Sequence, residues 1–446
     1  EKDFRELSWT EAFDQLHEHL VTHYPFTDWK AIDWDVLYAQ TAPRIAAAEA
    51  ANDREAYYLA LREYAYAIPD GHVALAGDDF GLRQQAIGGG YGLGIIGLDD
   101  GRVIAHILLD DGPAAKAGMQ WGAEILAWNG QPIAEAVAQT ETLWAEIPQA
   151  TQEGHLLEQY RYLVRDPIGT ETRVTFQNPD AATQTVTLVA EADDFEALNR
   201  TLPPAPDPLA KVFTNPVQPS ILPSGYGYLE ISGFMPSLGG LRMAKSLDRA
   251  IEMFVAEDVP GIIIDVRGNE GGLDALVPQL VGHFYDAPDF YEQISYYDPA
   301  TGQFQINPAE TLPIEPQQPY YGGPVIVLVD KSTASTAEGP PLAVQRLPQG
   351  QVVGVYGTNG SFAMGTPGQD LYRLPEGVAF NFLAGRALDA NERILVDGDA
   401  HGMGGVVPDV RVPLTEETVY AMFVEGRDVV LETAVSTLNE MPEPSK

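Results

Sequence analysis

The chain has 446 residues, 45% of them hydrophobic and 20% charged. That length exceeds one ordinary core and predicts two or three domains, while no apolar run reaches the ~18 residues of a membrane helix. Its 26 basic and 64 acidic residues give a formal net charge of −38, which repels phosphate backbones and excludes nucleic acid as a partner. With no cysteine, disulfides, thiolate metal sites and a Cys nucleophile are excluded as well. The sequence opens at Glu1 rather than Met. The expected location is extracytoplasmic, periplasmic or secreted, with a signal peptide lying outside this sequence.

The first ~80 residues read as helical. Ser8-Trp9-Thr10-Glu11 has capping-box form, and Trp9, Phe13, Leu16 and Leu20 recur at helical spacing. A second stretch runs from Asp53 to Ala67 and stops at Pro69-Asp70-Gly71-His72, where Pro and Gly end a helix. His17, His19 and His23 share this region, and His19 and His23 have metal-compatible spacing. No acidic or Cys ligand accompanies them, so no metal or other cofactor is predicted. Tyr57, Tyr58, Tyr64 and Tyr66 read as packing residues.

From Gly88 the texture turns to short strands. Gly88 to Ile95 is followed by the hairpin signal Asp99-Asp100-Gly101 and by Val103 to Ile107. Next come Gly112 to Met119, then Glu124 to Trp128 and the Asn129-Gly130 turn. This order of carboxylate loop, strand, short helix, strand and turn resembles a bacterial PDZ domain. The resemblance implies that backbone N–H groups of Tyr91, Gly92, Leu93 and Gly94 grip a peptide carboxylate. A helical insertion is expected between Glu141 and Arg165, with closing strands at Thr172 to Phe176 and Thr185 to Val189.

Between Asp193 and Ser224 stand Pro203, Pro204, Pro206, Pro208, Pro216, Pro219 and Pro223, the composition of a stiff linker. An α/β pattern follows: a strand at Tyr226 to Ile231, then a helix with Met243, Leu247, Ile251 and Phe254 on one face. Gly261 to Val266 and Val325 to Val329 are continuous apolar strands, the mark of a mostly parallel sheet covered on both sides. A closing amphipathic helix is predicted from Glu416 to Leu438. The expected fold class is multidomain α/β. Its parts are an N-terminal helical segment (1–80), a PDZ-like β module (81–192), a linker (193–224) and an α/β domain (225–446).

Two segments could carry chemistry. Asp330-Lys331-Ser332-Thr333-Ala334-Ser335-Thr336-Ala337-Glu338 follows one buried strand, where small residues leave a side chain exposed and backbone N–H groups convergent. Read alone, its Ser and Thr residues serve equally as caps and turn formers. Asp265 to Gly272 follows another buried strand, at the edge where open α/β sheets gather ligands. A phosphate loop is the competing reading, but no Gly-Lys-Ser/Thr follows.

The pair Asp-Val-Arg-Gly-Asn-Glu-Gly-Gly and Val-Leu-Val-Asp-Lys-Ser-Thr-Ala-Ser-Thr-Ala-Glu resembles the tail-specific, or C-terminal processing, serine peptidases and the related tricorn core. Gly404 to Pro413 resembles that family's closing motif. The resemblance implies a ClpP/crotonase-like peptidase domain with Ser335 as nucleophile. It also implies an oxyanion hole from the N–H groups of Gly268 and Thr336, and Glu338 as a structural acid. The Ser–Lys branch places a Lys after the next strand, but none occurs between Lys331 and Lys446. Lys331 itself stands only four residues before Ser335.

The tricorn-like branch uses a His from the N-terminal region, a position matched by His72, and imidazole suits the proton transfer. The acid that would orient it is open among Asp399, Asp397, Glu392 or none, and His401 is a further candidate. The implied activity is serine endopeptidase cleavage of extended peptides or unfolded protein tails through an acyl-enzyme. A homo-oligomer is an allowed assembly. The alternative is a catalytically weak or inactive binder of peptides or hydrophobic ligands on the same fold.

Overall fold

The computed structural model describes residues 2–202, 216–234, 240–365 and 370–441. Of the linker prolines, Pro203, Pro204, Pro206 and Pro208 lie outside the described residues. No helix among the described residues is long and apolar enough to cross a membrane.

Three helices open the chain: α1 (Trp9–His23), α2 (Trp34–Ala51) and α3 (Arg54–Tyr66). Each begins on a side-chain cap, Ser8, Asp33 and Asp53 respectively, which satisfies a backbone N–H that the first turn leaves unpaired. Trp9, Phe13, Leu16 and Leu20 form the buried stripe of α1 and pack with Tyr57, Leu61 and Tyr64 of α3. This core is not closed by local sequence. Tyr372, Leu374, Phe380 and Phe382 complete it from the far end of the chain. The short strands Lys2–Asp3 and Ala74–Ala76 pair with Leu371–Arg373 and Ala379–Asn381.

The next region is an antiparallel sheet of β1 (Leu93–Gly97), β2 (Val103–Leu108), β3 (Glu124–Trp128), β4 (Glu171–Gln177) and β5 (Gln184–Val189), in spatial order β5-β4-β3-β2-β1. Asn129 and Gly130 both take positive φ, 49° and 82°, as a tight hairpin turn requires. The expected helical insertion narrows to α4 (Gln152–Leu163), which lies along the edge strand β1.

The C-terminal sheet runs β6 (Val217–Ile221), β7 (Gly227–Ile231), β8 (Ile262–Asp265), β9 (Val325–Leu328), β10 (Gly350–Gly354) and β11 (Val410–Arg411) in that order. Only β6 is antiparallel; β7 to β11 run parallel. β6 contains Pro219, so the strand begins inside the stretch whose composition reads as linker. An edge strand tolerates that proline.

Both faces of the sheet are covered. Ile262, Ile264, Val325 and Val327 pack on one side with Leu247, Ile251 and Phe254 of α5 (Gly240–Ala256). Ile263, Ile326 and Leu328 face the other side. There they meet two closing helices rather than the predicted one, which follow the short helix α6 (Gly339–Val344) in the chain: α7 (Glu416–Phe423) and α8 (Val429–Glu440). Gly426, at φ 67°, falls between them in a conformation a helix interior does not accept. Ile264 is wholly buried in the central strand. Ile264→Ala should lower unfolding free energy by roughly 2–5 kcal/mol, read as an earlier denaturant midpoint with unchanged slope.

Candidate active site

Register decides where the two motif loops emerge. Asp265 pairs with Leu328, so β8 and β9 end level and their following loops run side by side. Asp330 knots them together, its Oδ1 accepting the N–H groups of Gly268 (3.0 Å), Ser332 (3.0 Å) and Thr333 (2.9 Å). The Ala334 N–H donates across to the Asn269 carbonyl at 3.0 Å.

Ser335 sits where the chain turns from β9 into a 3₁₀ turn and then α6, with φ at +56°. A non-glycine residue in that region is strained by about 1–3 kcal/mol, and such strain gathers at functional turns that expose a nucleophile. Its backbone is fixed: the Ser335 N–H donates to the Ser361 carbonyl (3.0 Å) and to Glu338 Oε2 (3.2 Å). Glu338 is fully buried and also accepts from Thr358 Oγ1 (2.5 Å), Gly360 N (2.8 Å) and Ser361 N (3.2 Å). Burial pushes its carboxyl up to about 7, while the Thr358 and Gly360 hydrogen bonds pull the other way. Glu338 is thus the brace of the turn, with its oxygens turned to donors and away from a base's role.

Gly268 does not stand as the motif suggested. Its N–H donates to Asp330 and that of Gly271 to Asn269 Oδ1 at 2.9 Å, while Gly271 is the loop's close neighbour of the turn. A Cβ on Gly271 would lie 2.8 Å from Ser335 Cβ and 2.9 Å from the Thr336 nitrogen, and its φ is +100°. Thr336 is buried, with Oγ1 donating to the Gly272 carbonyl (3.1 Å) and to Asp274. Gly271→Ala should therefore abolish covalent labelling of Ser335 by an active-site probe. Far-UV circular dichroism should stay unchanged, because the collision is confined to the turn.

His72 arrives from the loop after α3. Gly71 N–H donates to Ser361 Oγ at 2.9 Å, and a Cβ on Gly71 would meet Asn359 Oδ1 and Ser361 Oγ at 2.7 Å. Ser361 therefore ties the His72 loop and the Ser335 turn to each other, one through its hydroxyl and one through its carbonyl. His72, Ala334, Asn359 and Ser361 line one cavity of about 270 Å³. Among the described residues no hydrogen bond joins Ser335 Oγ to His72, and His72 Nδ1 is buried without a hydrogen-bond partner.

The acid beside His72 is Asp70. Its Oδ1 accepts the His72 N–H at 2.8 Å and lies 3.7 Å from Nδ1, and its Oδ2 accepts the Tyr24 hydroxyl at 2.7 Å. Burial alone would raise the Asp70 carboxyl, but His72, Lys30 and Tyr24 hold it well below the usual carboxylate range. Burial alone would lower the imidazole; Asp70 first, then Asp397 and Glu338, carry it above its ordinary value.

The other acid candidates are elsewhere. Asp399 caps its own loop, accepting from the N–H groups of His401 (2.8 Å) and Met403 (3.0 Å). With His401 it lines a separate outer cavity of about 730 Å³. Glu392 is exposed in a turn at φ 62°. Asp397 is buried 2.6 Å from the Lys30 ammonium and reaches His72 through its charge alone.

Lys331 lines the His72 cavity but is paired with Glu158 of α4, which also binds Arg161 at 2.7 Å. Burial lowers the Lys331 ammonium, Glu158 opposing. The N-terminal histidines form no ligand set, since both ring nitrogens of His19 face the Lys2 ammonium (2.7 and 2.8 Å).

The loop expected to grip a peptide carboxylate packs closely against the protein. Tyr91 is buried, its hydroxyl on Asp166 at 2.6 Å, and Gly92 backs onto Gly112. Leu93 and Gly94 begin edge strand β1, where a Cβ on Gly94 would meet Thr201 at 2.7 Å. The adjoining cavity, about 420 Å³, holds Asp110, Asp111, Glu191, Asp193 and Glu196 against Arg200. Such a lining repels a carboxylate rather than attracting one.

A strained serine after a parallel strand, braced by a buried acid and joined to a histidine loop, defines a serine-hydrolase type of site. Residues 225–412 match the model of Peptidase family S41. The carboxy-terminal processing protease CtpB of Bacillus subtilis is 25% identical over 243 residues, 54% of this chain and 41% of that protein. The chain therefore aligns with less than half the length of this curated relative. Mature CPAF complexed with lactacystin shares the fold, with TM-score 0.63 and 14% identity over 97% of this chain and 99% of that one. A peptidase structure from Parabacteroides merdae gives TM-score 0.52 and 16% identity over 97% and 96%.

Proposed function

We propose that the chain is a serine endopeptidase that cleaves extended peptides or unfolded protein tails through an acyl-enzyme on Ser335. The carrying observation is Ser361, which holds the strained Ser335 turn and the Gly71–His72 loop at one cavity. Ser335 Oγ attacks the scissile carbonyl while His72 takes its proton and returns it to the leaving amine. Asp70 orients the imidazole and stabilises the imidazolium that forms. The Thr336 N–H receives the oxyanion, the N–H groups of Gly268 and Gly271 being held by Asp330 and Asn269. This assignment follows the Ser–His pattern of the tricorn branch, with Asp70 as its third member.

The cavity at His72 is where substrate enters, and the PDZ-like module stands as a packing partner of the site through Glu158. Placement outside the cytoplasm and self-association belong to the same proposal. The test is a fluorophosphonate probe followed by peptide mass mapping. An adduct on Ser335 supports the reading, whereas an unlabelled folded protein leaves the non-catalytic binder as the better account.

A further inference from the structure

Lys30 is an ammonium sealed inside the protein, with none of its side chain exposed. It lies in the turn after α1, where its own N–H closes back on Phe26 at 2.8 Å. Burying a lone cation is costly, so its partners matter. Nζ donates to the carbonyls of Pro69 (3.0 Å) and Gly398 (2.9 Å) and stands 2.6 Å from Asp397 Oδ1. Pro69 directly precedes Asp70. Asp397 Oδ2 accepts the Phe362 N–H at 2.9 Å, and Phe362 directly follows Ser361. One ammonium thus grips the loop that carries the base and, through a single carboxylate, the loop that holds the nucleophile's turn.

Its charge has a second effect. Asp70 and Asp397 are both buried, the charge of Asp70 pushes the Asp397 carboxyl up, and Lys30 pulls both carboxyls down. Without it, two carboxylates would share a dry site with one imidazole between them and the cavity.

Resting on the Ser–His reading above, we propose that Lys30 is a positioning residue for the base, holding the Pro69–His72 loop through the Pro69 carbonyl and, through Asp397, setting His72 against Ser335. It touches neither the reacting atoms nor the substrate, and it comes from a region outside the residues that match Peptidase family S41. The charges facing His72 are Asp70 from its own loop, Asp397 behind it and Glu338 from the nucleophile's turn. Across the cavity stand Glu146, Glu158, Arg161, Glu270 and Lys331, and Asp274 beside Thr336 also feels the His72 charge.

The experiment is the rate of fluorophosphonate labelling of Ser335 as a function of pH, in wild type, Lys30→Met, Lys30→Arg and Asp397→Asn. Lys30→Met removes a cation and should move the acid limb to higher pH while lowering the plateau rate tenfold or more. Asp397→Asn removes an anion that holds the imidazole up, so its limb should move to lower pH. Lys30→Arg, which keeps charge and donors, should restore the wild-type limb. A merely structural role would lower both variants' rates without opposite shifts, and that result would overturn the proposal. Should Lys30→Met fail to fold by circular dichroism, Asp397→Asn decides alone: an unmoved limb in the folded variant overturns it. If His72→Ala labels as fast as wild type, the Ser–His reading has failed, a result distinct from any Lys30 outcome.

Discussion

Ser335→Ala should reduce hydrolysis of an unfolded polypeptide by about 10⁶-fold, to the residue of rate that binding and oxyanion stabilisation supply without a nucleophile. The substitution removes one oxygen and leaves the brace intact, because the Ser361 and Glu338 bonds are made by the Ser335 backbone N–H. Alanine also keeps the Cβ that packs on Gly271. Stability should therefore stay within about 1 kcal/mol of wild type, the only backbone cost being the positive φ that serine already bears. Release of peptides, followed by fluorescence of a quenched casein, measures the first quantity and thermal denaturation the second. Undiminished hydrolysis by Ser335→Ala would remove Ser335 from the mechanism.

Asp70→Asn should cost about 10³–10⁴-fold in kcat with KM little changed, because a neutral amide neither stabilises the imidazolium nor holds the required tautomer. The pH dependence has a definite sign. A general base works unprotonated, and His72 is carried above its ordinary value, so wild-type activity should rise with pH through a midpoint above about 6.5. Asp70 is the largest of the influences that raise it, so in Asp70→Asn the residual activity should begin at lower pH. Kinetics between pH 5 and 9 separate the two effects. An unaltered limb in Asp70→Asn would show that this carboxylate does not govern the base.

Much of the architecture was legible because it is written in local patterns. Continuous apolar runs such as Ile262 to Ile264 announce strands buried on both faces, and Ser8 with Glu11 announces a helix start. The site was legible only in part. Ser335 and His72 stand out by residue type and motif order, and the structure brings their loops to one cavity. The oxyanion loop is hard to read from sequence, because the partners of its glycine N–H groups, Asp330 for Gly268 and Asn269 for Gly271, are set by the fold. Asp70 escaped notice although it precedes His72 by two residues. Its Oδ1 accepts the His72 N–H, a turn-forming role that aspartate plays at many helix ends. Nothing in the sequence shows that such a turn will be buried against Lys30. The surroundings of the PDZ-like loop are hidden for a related reason, since only the fold reveals that Thr201 packs on the face of its strand at Gly94.

The helical region shares its core with Tyr372 and Phe380, and this has a bearing on how the protein is made. During synthesis the histidine leaves the ribosome early and waits as part of an unfinished core, because the residues that close that core come more than 290 positions later. The serine emerges in between. No partial product holds both loops in register, so a nascent chain carries the parts of a peptidase without its activity. On the proposed activity, unfolded polypeptides stay out of reach until the strands Leu371–Arg373 and Ala379–Asn381 lock the first helices in place.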